Sequence, residues 1–201
     1  FIAGVRALDL RIYEGDNNDN PDIVHGGQYA QCRKQDGSHL GLQDVLQKAK
    51  EFLAANPGET IIIKTGAQGT KGSVENVARA LDHNIQSGRY PIYKPETASV
   101  PKLGEVRGKI VLMRAFSFGS YEPSVKESYF GPDVASGWGS DYDRIPGARQ
   151  VYDRDGCQIW VQDAYKVNTT DKRSHVEKTI AQAAYEEIPG GAYIWNFTSC
   201  T

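Results

Sequence analysis

An aspartate, an arginine and a histidine stand close together near the start of this 201-residue chain. Asp9 and Arg11 lie two residues apart in Gly4-Val-Arg-Ala-Leu-Asp-Leu-Arg-Ile-Tyr13, and His25 ends Ile23-Val-His-Gly26. The types suit chemistry on a phosphate ester. A guanidinium offers a planar fork of donors to phosphate oxygens. An imidazole gives or takes a proton near neutral pH. A carboxylate orients either partner. The plain alternative for Asp9 and Arg11 is a buried ion pair that only fixes a core. His25 favours the chemical reading, because the following Gly26 leaves room for a ligand to approach. His39, His83 and His175 have weaker settings, in a polar loop, on an exposed helix position and at a helix start.

The elements that must position these groups are legible from periodicity. Residues 5–13 alternate, with Val5, Ala7, Asp9, Arg11 and Tyr13 on one face and Leu8, Leu10 and Ile12 on the other, which predicts a strand. A turn-rich loop from Gly15 to Asp22 leads to a short Ile23-Val24 strand. Leu42, Val45, Leu46, Ala49, Phe52 and Leu53 predict a helix over 41–56, closed by Asn56-Pro57-Gly58. Thr60 to Lys64 reads as a strand covered on both faces. A second helix is predicted over 73–87, with Val74, Val77, Ala78, Leu81 and Ile85 inward. A further strand is predicted from Arg107 to Arg114. Residues 117–155 read as an elaborated loop over one face. Its Tyr129, Phe130, Trp138 and Tyr142 either dip into lipid headgroups or pack the loop down. Ile159 to Tyr165 reads as a strand. Asp171 is expected to cap a third helix whose inward face carries Val176, Ile180, Ala184 and Ile188. A last strand runs from Ala192 to Phe197.

Strands alternating with helices imply an α/β fold with a parallel sheet, as a barrel or an open sheet. Asp9, Arg11, Lys64, Arg114, Asp163 and Tyr165 are read as falling late in their strands, and (β/α) barrels gather their sites at that end. Lys64 is read either as a lysine snorkelling at the strand mouth or as a phosphate or hydroxyl contact. Arg114 has the same two readings. Asp163 and Tyr165, two apart, make a grip for a polyol, with the carboxylate accepting from hydroxyls and the ring stacking on a sugar-like face. The alternative for Asp163 is a local cap.

Bulk properties narrow the class. Hydrophobic residues are 39%, charged residues 24% and the net charge −2. That is enough for one sizeable core and lacks the basic footprint of a nucleic-acid binder. No apolar run approaches the ~20 residues of a membrane span. Cys32, Cys157 and Cys200 have no zinc-type spacing, so no structural metal is expected, and the odd count leaves their pairing open.

With these residues placed, the chain resembles the X region of phosphatidylinositol-specific phospholipase C, and within it the small bacterial-type enzymes. The resemblance rests on Gly4-Val-Arg-Ala-Leu-Asp-Leu-Arg11, Val24-His-Gly26, Phe52-Leu-Ala-Ala-Asn-Pro-Gly-Glu-Thr-Ile-Ile63, Arg107-Gly-Lys-Ile-Val-Leu112, Val161-Gln-Asp-Ala-Tyr-Lys-Val167 and Asn196-Phe-Thr-Ser199, in that order. It implies a distorted TIM-type (β/α) barrel and one catalytic domain over residues 1–201. It implies cleavage of phosphatidylinositol to diacylglycerol and a cyclic inositol phosphate, with the inositol 2-hydroxyl as internal nucleophile. Arg11 would clamp the phosphate, His25 would be the general acid and Asp9 would support them. Asp163 and Tyr165 would hold the inositol, while Lys64 and Arg114 would be nearby substitutes for the family's basic contacts. Animal members place a calcium-binding acid where this chain has Arg11, so the expected site uses no metal and no cofactor. A fixed guanidinium offsets phosphate charge as a cation does.

Family members begin with a strand whose histidine is the general base and end with a strand whose aspartate partners a catalytic histidine. The six strands counted here match neither, so the chain is expected to lack the first and last strands and to be truncated at both ends. Loss of one acid/base partner is typically worth about 10²–10⁴-fold. The alternative is therefore an inactive member or fragment that binds inositol phosphates or membrane phosphoinositides. The implied partners are phosphatidylinositol or glycosyl-phosphatidylinositol in membranes, met by a secreted, monomeric protein through peripheral contact and without nucleic acid.

Overall fold

A computed structural model describes residues 1–26, 28–29, 34–69, 72–135, 137–138, 146–154, 157–185 and 187–197. The chain is α/β and divides into two compact units, residues 1–133 and 134–201.

The first unit contains β1 (Ala7–Tyr13), β2 (Val24–His25), β3 (Gln28–Tyr29), α1 (Leu42–Ala55), β4 (Ile61–Gln68), α2 (Val74–Gln86), the one-turn α3 (Leu103–Val106) and β5 (Ile110–Ala115). A parallel sheet runs in the order β1-β4-β5, so each new parallel strand is laid beside its predecessor. The crossover from β1 to β4 carries α1, and that from β4 to β5 carries α2. One sheet face is apolar. Leu10, Ile12, Ile61, Ile63, Ile110 and Leu112 pack there with Leu42, Leu46 and Ala49 of α1 and Val77, Leu81 and Ile85 of α2. Full burial of each large side chain contributes about 1.5–3 kcal/mol. The opposite face carries Asp9, Arg11, Lys64 and Gly66, because strand alternation sends them the other way.

Local chemistry sets the helix ends. The side chain of Asn20, from the loop after β1, accepts from Gln43 N at 2.6 Å, and Asp44 accepts from Gly41 N at 2.9 Å. A Cβ at position 41 would sit 2.4 Å from the Asn20 side-chain oxygen, so a larger residue there would push this cap aside. Ser73 caps α2 by accepting from Glu75 N at 3.1 Å.

The segment after β5 is tied to α2 at two points. Glu75 accepts from Ser120 N at 2.9 Å and from its hydroxyl at 3.1 Å. Asp82, 2% exposed, accepts from Tyr121 Oη at 2.7 Å, Ser124 N at 2.8 Å and Val125 N at 3.2 Å. Burial pushes the Asp82 carboxyl up, but the bonds from Ser124, Tyr121 and Val125 outweigh it and hold the group below its ordinary value. Burial and the bond to Asp82 push the Tyr121 phenol up to about 12. A 3₁₀ turn at Glu127–Phe130 then buries Phe130 in the core with Tyr129 against it.

The second unit holds β6 (Arg149–Arg154), β7 (Cys157–Gln162), α4 (Thr169–Ala184) and β8 (Tyr193–Asn196). The sheet order is β6-β7-β8, with β6 antiparallel and β8 parallel to β7.

Several expectations are corrected. The predicted long loop contains β6, whose polar, half-exposed sequence on a sheet edge carries no apolar run. β4 continues to Gln68, so Lys64 is its fourth residue of eight and not its end. β7 stops at Gln162, because the Gln162 side chain accepts from Ala164 N at 2.8 Å and turns the chain out of the ladder. Asn168, not Asp171, caps α4, accepting from Asp171 N at 3.0 Å while donating to the Asp171 carboxylate at 2.8 Å. The covered face of α4 is Lys172, His175 and Thr179, while Ile180 is 59% exposed. Two of these polar groups have partners: Lys172 reaches the end of β7, and the Thr179 hydroxyl donates to His175 O at 2.9 Å. The eight strands form three separately hydrogen-bonded sheets among the described residues.

Candidate functional site

The parallel register sets Asp9 opposite Lys64 and Arg11 opposite Gly66. Lys64 Nζ donates to Asp9 Oδ2 at 2.8 Å, and Arg11 Nε lies 3.3 Å from Asp9 Oδ1. The carboxylate is thus shared between two cations, one on each oxygen. Exposure grades outward: the side chain is 1% exposed at Lys64, 22% at Asp9 and 36% at Arg11. Among the described residues Asp9 is the ion-pair partner of the Arg11 guanidinium, through Nε, and neither Nη atom has a protein partner. Those two groups form the flat, two-pronged donor set that suits a phosphate.

Gly66 explains how Arg11 lies down beside β4. A Cβ there would sit 3.0 Å from Arg11 Cδ, 3.3 Å from Nη1 and 3.4 Å from Nε. This glycine was not among the residues singled out from sequence. An isolated glycine inside an apolar strand is the signal that marks such a close approach.

His25 ends β2, whose neighbour Ile23 pairs with Ile12 of β1. It is exposed and followed by Gly26 in the left-handed region at φ 59°. The remaining histidines have other settings. His39 Nδ1 lies 3.1 Å from Asp22, His83 Nε2 lies 3.3 Å from Asp19, and His175 is 3% exposed on α4.

Arg114 does not join Asp9 and Arg11. It pairs with Thr65, on the helix-covered face of β4. Its Nη2 donates to Asp133 at 2.7 Å, its Nη1 to Phe116 O at 2.6 Å, and it stacks on Phe118 at 4.3 Å. Phe116 and Phe118 both belong to the core on that side.

Asp163 and Tyr165 lie in the second unit, just past β7 rather than within it. Asp163 accepts from Trp138 Nε1 at 3.0 Å. Trp138 is set edge-on to Trp195 and Phe197, at 5.9 and 6.0 Å between centroids, so it packs inside its own unit. Tyr165 is 39% exposed, with Lys166 Nζ 5.4 Å from its ring. The turn that presents both residues is fixed from below. Gln162, fully buried, donates to Asn196 at 2.8 Å and to Phe197 O at 2.7 Å. Lys172 donates to Gln162 at 3.0 Å and to Ala164 O at 2.7 Å. Sequence reasoning missed Gln162 and Lys172, since a polar residue at the end of an apolar strand and a lysine on a helix both read as solvent-facing.

Cys157 is buried, while Cys32, Cys200 and Tyr142 lie outside the described residues. The residues around Asp9 do not fit the calcium site that animal members imply, because both carboxylate oxygens face cations that repel a divalent ion. Among the described residues no group of three His, Cys, Asp or Glu could hold a metal ion, and no helix is long and apolar enough to cross a membrane.

Comparison with known proteins finds relatives in sequence and in fold. The 1-phosphatidylinositol phosphodiesterase of Listeria monocytogenes is 28% identical over 149 residues, which are 66% of this chain and 43% of that protein. Its counterpart in Staphylococcus aureus strain Newman is 27% identical over 208 aligned positions, covering 98% of this chain and 59% of the relative. Among solved structures, a Staphylococcus aureus phosphatidylinositol-specific phospholipase C studied for its membrane binding superposes with a TM-score of 0.71 at 23% identity, over 99% of this chain and 61% of the other. The Listeria monocytogenes phosphatidylinositol-specific phospholipase C gives 0.63 at 21% identity, over 99% and 60%. The chain therefore shares their fold and spans about three-fifths or less of their length. The model of the phosphatidylinositol-specific phospholipase C X domain matches residues 1–115, more than half of the sequence, and the chain belongs to that family.

Proposed function

We propose that this chain carries the phosphate-handling part of a phosphodiesterase that cleaves phosphatidylinositol, or a glycosyl-phosphatidylinositol, at a membrane surface. The observation that carries the reading is Arg11, held at Nε by Asp9 with both Nη groups left for a ligand. In the proposed reaction the inositol 2-hydroxyl gives its proton to solvent water as its oxygen forms a bond to phosphorus, and the bond from phosphorus to the glycerol oxygen breaks. His25 delivers a proton to the departing oxygen, giving diacylglycerol and a cyclic inositol phosphate. Arg11 holds the nonbridging oxygens as charge builds on them. The sequence-based site residues that remain, Asp163 and Tyr165, are assigned to the inositol ring. The reading uses no metal, since Arg11 supplies positive charge where animal members use calcium. It takes no base from His39, His83 or His175, given their partners and burial.

The chain order β1-β4-β5 in the parallel sheet supports a barrel, since successive strands laid side by side with helices between them are how a (β/α) barrel winds. A distorted, incompletely closed barrel, peripheral membrane contact, a monomeric state and secretion complete the proposal.

The test is hydrolysis of phosphatidylinositol vesicles in excess chelator by the chain and by Arg11→Lys. Removing a bidentate phosphate contact is expected to lower kcat/KM by about 10²–10³-fold. Undiminished activity in Arg11→Lys would refute the clamp. Loss of wild-type activity on chelation would refute the metal-free site. Vesicle binding that depends on Arg11 but yields no product would make the chain a binding member of its family.

A further inference from the structure

Two buried polar side chains hold the turn after β7 on both sides of a single residue. Ala164, fully buried, stands between Asp163 and Tyr165. Its N–H belongs to the peptide unit shared with Asp163, and its carbonyl to the unit shared with Tyr165. Gln162 Oε1 accepts from that N–H at 2.8 Å, and Lys172 Nζ donates to that carbonyl at 2.7 Å. Both peptide planes are pinned from inside, and with them the directions in which residues 163 and 165 leave the backbone.

The two pins also lock each other. Lys172 donates to Gln162 Oε1 at 3.0 Å, and Gln162 Nε2 donates to Asn196 Oδ1 at 2.8 Å and to Phe197 O at 2.7 Å. Two bonds accepted and two donated saturate a side-chain amide, so the orientation of Gln162 is settled. Lys172 sits in the first turn of α4 and is 3% exposed. A buried ammonium ion carries a desolvation cost that an apolar residue of like length would avoid. What the ammonium supplies, and an apolar residue would not, is a charge-assisted bond to a main-chain carbonyl.

We propose that Lys172 is a positioning residue for the inositol-holding turn. Acting through Gln162 and the peptide planes of Ala164, it sets where Asp163 and Tyr165 stand, from beneath the turn and without touching the ligand. The inference rests on the phosphodiesterase reading for the role of Asp163 and Tyr165, but not for the hold on the turn.

The test is a mutant cycle on the full chain with phosphatidylinositol vesicles. Lys172→Met is expected to lower kcat/KM by about 10–100-fold, the scale of a misplaced ligand contact. In an Asp163→Asn, Tyr165→Ala background it is expected to change kcat/KM by less than about twofold, because its effect passes through those two side chains. Equal losses in the two backgrounds would overturn the proposal. A second readout needs no turnover. The Ala164 amide is expected to exchange with solvent at least about tenfold faster in Lys172→Met, while the amides of β4 keep their wild-type rates. Unchanged exchange at Ala164, or an equal rise in β4, would also overturn it. If the wild-type chain turns over no lipid, the phosphodiesterase reading fails and the exchange rates still decide whether Lys172 holds the turn. Lys172→Arg, which keeps the charge and the donors at a different reach, replaces Lys172→Met if thermal melting shows the latter unfolded. It is expected to lower kcat/KM by about 3–10-fold and to lose that effect in the same background.

Discussion

Gly66→Ala separates the stability of β4 from the placement of Arg11. Gly66 does not have a positive φ, so alanine is conformationally allowed there. Restricting the unfolded chain should then stabilise by about 0.4–1 kcal/mol. Against this, the new methyl would sit 3.0 Å from Arg11 Cδ and 3.3 Å from Nη1, inside comfortable contact. Arg11 is 36% exposed and can swing outward by a few tenths of an ångström at little cost to stability. The two terms nearly cancel, and melting should shift by less than about 1 kcal/mol in either direction. Activity should not be spared. A 1 Å misplacement costs about 100-fold, so a displacement of a few tenths should lower kcat/KM by about 3–10-fold. Thermal melting and phosphatidylinositol hydrolysis on the same preparations give both numbers. A folded Gly66→Ala protein with wild-type kcat/KM would show that the lie of Arg11 across β4 does not matter to the chemistry. A loss of equal size in an Arg11→Lys background would show that Gly66 acts on something else.

Removing Asp82 should loosen the segment after β5. Asp82→Ala strips partners from Tyr121 Oη, Ser124 N and Val125 N and is expected to destabilise by about 2–4 kcal/mol in chemical denaturation. The Asp82 carboxyl is held below its ordinary value, so its stabilisation is complete above that value and is lost as the pH falls through the folded one. Acid melting of Asp82→Asn should be correspondingly flatter in that window, and an identical acid profile would refute the anchor. Gln162→Leu leaves Lys172, Ala164 N, Asn196 and Phe197 O each short of a partner and should cost about 2–5 kcal/mol, measured by denaturant midpoint. Asn168→Ala removes the α4 cap and should cost about 1 kcal/mol, whereas Asp171→Asn should cost clearly less by the same assay.

The elements that the sequence made legible are those whose burial is one-sided. α1 and α2 carry apolar stripes on a polar background and appear within a residue or so of their expected ends. β1 shows its two faces by alternation, and that same alternation placed Asp9 and Arg11 together. α4 failed the same treatment because the side it covers is Lys172, His175 and Thr179. Apolar periodicity finds apolar faces, and here the covered side is polar, with Lys172 donating to Gln162 and Ala164 O and Thr179 to His175 O. β6 failed for a related reason, since an antiparallel edge strand needs only one good neighbour and hides only Val151 and Tyr152.

The site divides along the same line. Spacing of two identifies residues on one face of one strand, which is why the Asp9 and Arg11 relationship was visible. It carries no information about depth or about which residue stands opposite on the next strand. Those depend on register, and register is a property of two segments more than fifty positions apart. Lys64 therefore looked like a strand end reaching for solvent, when the ladder continues past it and buries it under Asp9. Arg114 shows the converse. Its charge type matched a phosphate contact, but one residue of parity sends it to the helix side, where Asp133 and the Phe116 carbonyl hold it. Composition and spacing nominate cations for a phosphate site. Register sets Arg11 and Lys64 on the same sheet face as Asp9, and sends Arg114 to the helix side.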